Sequence, residues 1–245
     1  MRFVDSHLHL QVSVASAYVA LAQATQTLLV TCSEDRETSA VALGQAAAHP
    51  EAVRAFVGVH PSEALKSTSL SWLEQDLRRA SGIGEIGLDP KYSDKGPGSA
   101  QMKTFLAQLD MAQATRKPIQ VHSRDAEREC LDALSGFPLG AVLMHWFQGE
   151  GLLQEALGRG FFVSFGPSIL YSKKLQRMAV RTSKDQVLTE TDSPVPFGAL
   201  GGVHGPSLVP SVVFKLSEVW GLGFEETRAT LAGNAMRFLG LSEKG

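Results

Sequence analysis

Cysteine is nearly missing from this chain: 245 residues include only Cys32 and Cys130, with no CxxC spacing. That excludes a disulfide scaffold, a thioredoxin-type redox motif and a four-cysteine zinc site, and it suits a reducing compartment. A surplus of one charge is missing too, since 23 Lys and Arg face 25 Asp and Glu and the pI is near 6.4. Coating a polyanion by charge alone needs a basic surplus, so that role is disfavoured, whereas catalysis on a polyanion is not. There is no run of ~18 uncharged apolar residues. The opening MRFVD leads almost directly into His7 and His9, without an apolar segment of the kind an export signal needs. The expectation is a cytoplasmic protein that does not enter a membrane. Internal repeats and low-complexity tracts are also lacking. With 44% hydrophobic residues the chain can still bury a large core, which argues against disorder.

What is present is an alternation. Eight short β-branched or aliphatic runs occur at 2–5, 27–32, 53–59, 82–87, 118–122, 140–145, 161–165 and 186–191. Between them lie Ala-, Leu-, Glu- and Gln-rich stretches with apolar residues at helical spacing, among them 36–48, 70–80, 99–116, 124–135 and 150–158. Near-continuous apolar strands suit a parallel sheet covered on both faces. Eight strand–helix pairs in about 250 residues predict an α/β fold, a (β/α)8 TIM barrel forming a single domain over 1–245. A doubly wound open sheet is the rival, disfavoured because His7, Leu8 and His9 follow the first strand where a dinucleotide site needs glycines. The segment 36–49 reads as a barrel-packing helix rather than a membrane or partner helix, because polar residues interrupt it. The Gly- and Pro-rich stretch from Pro194 to Pro210 follows the eighth run, at the C-terminal face where barrel sites form.

Histidines and carboxylates gather at the ends of these runs. His7 and His9, two apart in extended chain, project to one face and can grip one ion. Glu85 lies in the fourth run, His122 ends the fifth, His145 ends the sixth and Asp192 follows the eighth. Parallel barrel strands bring their C-terminal ends around one mouth, so these residues are expected to converge. Taken singly, each is better explained as a hydrogen-bonded core residue than as a ligand. Together, so many titratable groups facing one interior would be costly to bury, and a cation is the simplest compensation. Four imidazoles and two carboxylates suffice for two divalent ions with one carboxylate bridging. With no thiol in the set, Zn, Mn, Mg, Co or Fe suits it better than a soft metal.

The ordered segments DSHLHL (5–10), GVHP (58–61), GEIGLD (84–89), PIQVHSRDA (118–126), MHWFQG (144–149) and LTETDSP (188–194), with the GNAMRFLGL tail (233–241), resemble the TatD family of metal-dependent hydrolases, TIM barrels of the amidohydrolase superfamily. The resemblance spans essentially the whole chain. It implies a binuclear centre with His7, His9 and Asp192 on one ion, His122 and His145 on the other, and Glu85 bridging. It implies deoxyribonuclease activity, from a strand end, in which an activated water attacks the phosphodiester and Asp192 takes its proton. His60 matches a family histidine beside the centre that is not a ligand; it either donates to a transition-state oxygen or leaving group, or only caps the strand end. Arg124 either clamps a phosphate or braces its loop, and Asp125 reads as part of a helix cap. Glu190 is expected to orient a ligand histidine.

The sequence departs from the family pattern after the eighth run. Between Ser193 and Pro210 there is no Arg or Lys, and His204 is the only titratable side chain. Phosphate contact is therefore expected to fall on the metals and Arg124, with His204 shaping substrate choice and only a mild salt dependence. Trp146 stands where the family more often has a small residue or cysteine, and is expected to narrow the pocket, stack a base or fill space. The expected partner is a nucleic-acid substrate. An ester or amide hydrolase, such as a D-aminoacyl-tRNA deacylase or a small-molecule amidohydrolase, is the alternative that the cation-free loop favours. A non-catalytic binding barrel ranks last, because all six ligand positions are filled.

Overall fold

Eight parallel strands, each hydrogen-bonded to the next in chain order, make up the central sheet of the computed structural model. It describes residues 3–66, 69–197, 199 and 201–241. Arg2 of the first expected strand, Gly198 and Leu200 of the loop, and both ends of the 1–245 span lie outside them. The strands are β1 (Phe3–Leu8), β2 (Thr27–Cys32), β3 (Val53–Val57), β4 (Gly82–Gly87), β5 (Ile119–His122), β6 (Val142–Met144), β7 (Phe162–Phe165) and β8 (Val187–Thr189). Between them run α1 (Val12–Thr25), α2 (Arg36–Ala48), α3 (Ser71–Asp76), α4 (Ala100–Thr115), α5 (Glu127–Leu134), α6 (Leu153–Gly158) and α7 (Lys173–Arg181). This is the (β/α)8 barrel that the alternation predicts.

The last seam is closed by side chains as much as by backbone. Thr189 Oγ1 donates to Val4 O at 2.7 Å, and the buried Asp5 carboxylate accepts from Thr191 N at 2.8 Å and Thr191 Oγ1 at 2.5 Å. Farther up, Asp192 N donates to His7 O at 2.9 Å and His9 N to Ser193 O at 2.7 Å. Helix starts follow local chemistry: Asp35 and Thr38 form a capping box on α2, and Ser99 and Ser172 cap α4 and α7.

Alternate strand residues fill the interior. Val4, Leu28, Val30, Phe56, Leu143 and Leu188 pack in one apolar cluster with Phe238 of the C-terminal helix. Phe238 lies 5.8 Å from the Phe56 ring and 5.7 Å from the Phe162 ring, closing the N-terminal end of the barrel. Gly82 has no alternative here, because a Cβ would collide with the Phe56 ring. The histidines and carboxylates gather at the opposite end, the end where barrel sites form.

Several boundaries differ from the sequence reading. β1 runs past residue 5 to Leu8, taking His7 into the strand, whereas β6 and β8 stop at Met144 and Thr189, leaving His145 and Asp192 just beyond. Trp146 (φ 41°) and Asp192 (φ 51°) adopt left-handed backbone, which ends extended pairing. The helix expected from 124 starts only at Glu127, because Asp125 (φ 53°) is also left-handed; the N-cap is Ala126, without a side-chain bond, so Asp125 is not the cap. The stretch after β8 is no plain loop: β9 (Pro196–Phe197) pairs antiparallel with β10 (Gly202–Val203) before α8 (Val209–Trp220) and α9 (Phe224–Phe238).

Candidate metal centre

Two register irregularities position the centre. Between Asp5 and Leu8, β1 advances three residues while β2 advances two, Leu29 to Thr31. Between Ile83 and Ile86, β4 does the same against Ile119 to Val121 of β5. Each extra residue is a bulge, which bends a strand and re-aims a side chain. One bulge spans His7 and the other Glu85. Gly87 (φ 143°) then lets β4 pass against β5, since a Cβ there would collide with the His122 carbonyl.

Glu85 is the hub. Its Oε2 lies 3.3 Å from His9 Nε2 and 3.4 Å from His7 Nε2. Its Oε1 lies 2.5 Å from His122 Nδ1, 2.8 Å from His145 Nε2 and 3.8 Å from His60 Nε2. Asp192 Oδ1 stands 3.5 Å from His7 Nε2 and 3.6 Å from His9 Nε2. Among the described residues, His7, His9 and Asp192, then His7, Glu85 and His145, then His60, Glu85 and His122 form three overlapping sets whose ligand atoms lie within 4.8 Å of one another. All six residues predicted to converge from five strands do so.

The outward ring nitrogens explain how they are aimed. His9 Nδ1 donates to the Cys32 carbonyl at 3.0 Å, and His7 Nδ1 to Gln120 Oε1 at 2.6 Å. Gln120 is oriented in turn by donating from Nε2 to Ser6 O at 2.8 Å. His122 Nε2 donates to Asp89 Oδ2 at 2.7 Å, and His145 Nδ1 to Glu190 Oε2 at 3.4 Å. In His7 and His9 the acceptor fixes a proton on the outer nitrogen and turns the inner nitrogen toward Glu85 and Asp192, the arrangement that metal-binding histidines require, whereas His122 Nδ1 and His145 Nε2 lie at hydrogen-bond distance from Glu85 Oε1 and donate to it. The inner distances of His7 and His9, 3.3–3.6 Å, are long for hydrogen bonds. They match the separation of about 3.4 Å between two donors sharing one tetrahedral ion. His7 Nε2, fully buried, has no hydrogen-bond partner. The residues present therefore fit a divalent cation.

The electrostatics point the same way. Burial raises the Glu85 and Asp192 carboxyls, but the surrounding imidazoles outweigh it and hold both well below the usual carboxylate range. Burial likewise opposes charge on His122, yet Glu85 and Asp89 bring it up to about 9; against burial, His7 is raised by Cys32, Glu85 and Asp192, His9 by Asp192 and Glu85, and His145 by Glu85 and Glu190. A positive charge in this space is thus strongly favoured. His60 behaves oppositely: burial pushes it down to about 3. Ser62 N donates to its Nδ1 at 3.2 Å, so the neutral ring carries its proton on Nε2, the atom facing the cluster. His60 caps a single 3-10 turn, Pro61–Glu63, and offers the centre a donor at the same time.

Glu190 is fully committed. Besides His145 it accepts from Ser164 Oγ at 2.5 Å and from Trp146 N at 3.0 Å, pinning the left-handed residue next to the ligand. Left-handed backbone at a non-glycine residue costs on the order of 1–3 kcal/mol and persists only where its surroundings over-determine it. Gln101 of α4 holds Asp89 by its backbone, accepting from Asp89 N at 2.9 Å and donating to Asp89 O at 2.8 Å.

Above the centre opens a cleft of ≈ 670 Å³ lined by His60, Arg124, Trp146, Lys174, Asp192 and Pro194 to Pro196, among others. Arg124 reaches Asp89 Oδ2 at 2.6 Å and lies 5.4 Å over the Tyr92 ring, but its side chain is still 41% exposed. Trp146 packs 5.4 Å from Phe197 of β9. His204 is not part of the cleft lining; its carbonyl accepts from Ser193 Oγ and from Tyr18 OH. Sequence reasoning missed Gln120, Asp89, Ser164 and Lys174. Asp89 and Gln120 stand inside the motifs GEIGLD and PIQVHSRDA and could have been found there, whereas Ser164 and Lys174 carry no local signal.

A family model described as TatD related DNase matches residues 4–240. The uncharacterized metal-dependent hydrolase YabD of Bacillus subtilis is 31% identical over 196 residues, covering 76% of each chain. Human deoxyribonuclease TATDN3 is 28% identical over 197 residues, covering 74% of this chain and 72% of the human one. The crystal structure of YJJV, a TatD homolog from Escherichia coli, is similar with a TM-score of 0.88 at 23% identity, covering 98% of this chain and 99% of that one.

Proposed function

This chain belongs to the TatD family of metal-dependent hydrolases, and on that premise we propose that it hydrolyses phosphodiester bonds of DNA with two divalent ions, acting at a strand end. The single observation that carries the reading is the division of Glu85, with one carboxylate oxygen facing His7 and His9 and the other facing His122 and His145. That is the arrangement a bridging carboxylate needs. His7, His9 and Asp192 would hold one ion and His122 and His145 the other. The all-N/O donor set accommodates Zn, Mn, Mg, Co or Fe. Such ions, when bound, supply Lewis acidity and lower the pKa of water.

The chain's own groups do the rest. Asp192, kept ionised by the imidazoles around it and lining the cleft, accepts the proton of the attacking water at its free carboxylate oxygen. His60, neutral with its proton on Nε2, donates toward oxygen that gains charge as the bond breaks. Arg124 and Lys174 meet the phosphate, Arg124 being held in place by Asp89 and Tyr92. Trp146 offers a face against which a terminal base stacks. A cleft of ≈ 670 Å³ is the size of a site for one small ligand, which supports action at an end rather than astride a duplex.

The test is a substrate panel of end-labelled single-stranded and duplex DNA, D-aminoacyl-tRNA and small amides, run with Mg, Mn and Zn in turn. Stepwise loss of terminal nucleotides that requires added metal is expected. Efficient hydrolysis of an ester or amide with no DNA cleavage under any metal would overturn the nuclease reading.

A further inference from the structure

One strongly charged surface remains unused by the centre. α7 carries Lys173, Lys174, Arg177 and Arg181 and no acidic residue, in a chain whose net charge is −2. Leu175, Met178 and Ala179 are its buried residues, and Lys173, Arg177 and Arg181 are exposed. Positions 173, 177 and 181 recur at every fourth residue and form one stripe, about 12 Å long at 1.5 Å per residue. Opposition is slight: Glu150 is 3.8 Å from Arg177 and 3.5 Å from Arg181, and the two guanidinium side chains stay 62% and 48% exposed. Exposed pairs of this kind hold their partners weakly.

The stripe is continuous with the cleft. Each helix of a (β/α)8 barrel starts near the mouth, so α7 descends from the rim along the outer wall. Lys174, in its first turn, lines the cleft that also holds Arg124, His145 and Asp192. Tyr171, just ahead of the helix and exposed, adds a ring against which a base can lie. Regularly spaced cations leading out of a hydrolytic cleft match the regularly spaced phosphates of a strand whose end lies in that cleft.

We propose that this face of α7 is a phosphate track. It holds the backbone of the DNA strand that continues beyond the scissile bond, and Lys174 joins the track to the cleft. The proposal rests on the nuclease reading above, and it replaces the mild salt dependence expected from the loop alone. Each phosphate contact on a single strand adds about 0.7 to the salt slope, so the three outer cations together contribute about 2.

The experiment compares the metal-loaded native protein with the triple variant Lys173→Gln, Arg177→Gln, Arg181→Gln on a single strand of about 20 nucleotides and on a dinucleotide that cannot reach past the cleft. For the long strand, KM is expected to rise roughly tenfold or more and the salt slope to fall by about 2. Dinucleotide kinetics are expected to stay within about twofold of native, which also shows that the variant is folded. The charge-keeping set Lys173→Arg, Arg177→Lys, Arg181→Lys is expected to restore the long-strand KM. An unchanged long-strand KM, with the dinucleotide still cleaved, overturns the track and leaves the nuclease reading standing. Failure of the native protein to cleave either substrate overturns that reading and the track with it. Inhibition by poly-glutamate as strong as by a non-hydrolysable DNA strand would assign the face to an acidic polypeptide and overturn the proposal.

Discussion

Replacing Gln120 by leucine removes a side chain that touches no ion and no substrate, and it should nevertheless loosen the metal centre. Gln120 is fully buried between His7 Nδ1, at 2.6 Å, and Ser6 O, at 2.8 Å. Leucine fills much of the same space but leaves a buried N–H and a buried carbonyl unpaired. Each orphaned group costs about 1–3 kcal/mol, so the metal-free protein should lose about 2–6 kcal/mol, less the gain from burying leucine. Against a total stability of about 5–15 kcal/mol, that is a large fall in Tm. The second effect is separate. Without its acceptor the His7 ring is no longer held with its lone pair on Nε2, and loss of such a partner typically lowers metal affinity about 10–100-fold. Glutamate at 120 separates the two effects, because its carboxylate still accepts from His7 but cannot donate to Ser6 O. It should lose stability and keep affinity. Thermal melts of chelator-treated protein give the first quantity, and competition titration with a fluorescent zinc indicator gives the second. If Gln120→Leu melts early yet binds metal within twofold of native, the outer hydrogen bond does not set the ligand nitrogen and the argument from ring tautomers fails.

Asp192→Asn keeps an oxygen ligand but removes the proton acceptor, so turnover should fall about 10²–10⁴-fold with metal content near native; normal turnover with both ions bound would move the base elsewhere. Chelation should lower Tm, because an ion that binds only the folded chain stabilises it by about 2.7 kcal/mol at 100 times its Kd; equal Tm with and without chelator would contradict the fit of the donor set to a cation. Phe238→Ala should cost about 3–5 kcal/mol in denaturant melts by opening a cavity between Phe56 and Phe162, with kcat of the surviving folded fraction unchanged. Both cysteines are buried, and burial pushes the Cys130 thiol up, so neither should react with Ellman's reagent until the protein is unfolded; fast reaction of either in the native state would contradict the packing.

Much of this protein is determined locally. Runs such as TLLVTC and GIGEIG, buried throughout as β2 and β4, leave the chain few alternatives to a covered parallel sheet, and α2 begins and ends where its capping box and apolar spacing place it. The six convergent residues could be named from sequence because the barrel always brings strand ends to one mouth, whatever their separation along the chain. Local pattern does not determine how a side chain is aimed once it arrives. The bulges that turn His7 and Glu85 toward each other exist only when β1 is paired with β2 and β4 with β5. Gln120 and Asp89 acquire their roles only through hydrogen bonds to rings that other packing contacts have already placed. Nor does a count of charges near balance reveal that four cations share one helix and that its first turn reaches the cleft. Composition sums over the surface, whereas a ligand meets charges at particular distances, and the folded chain alone sets those distances.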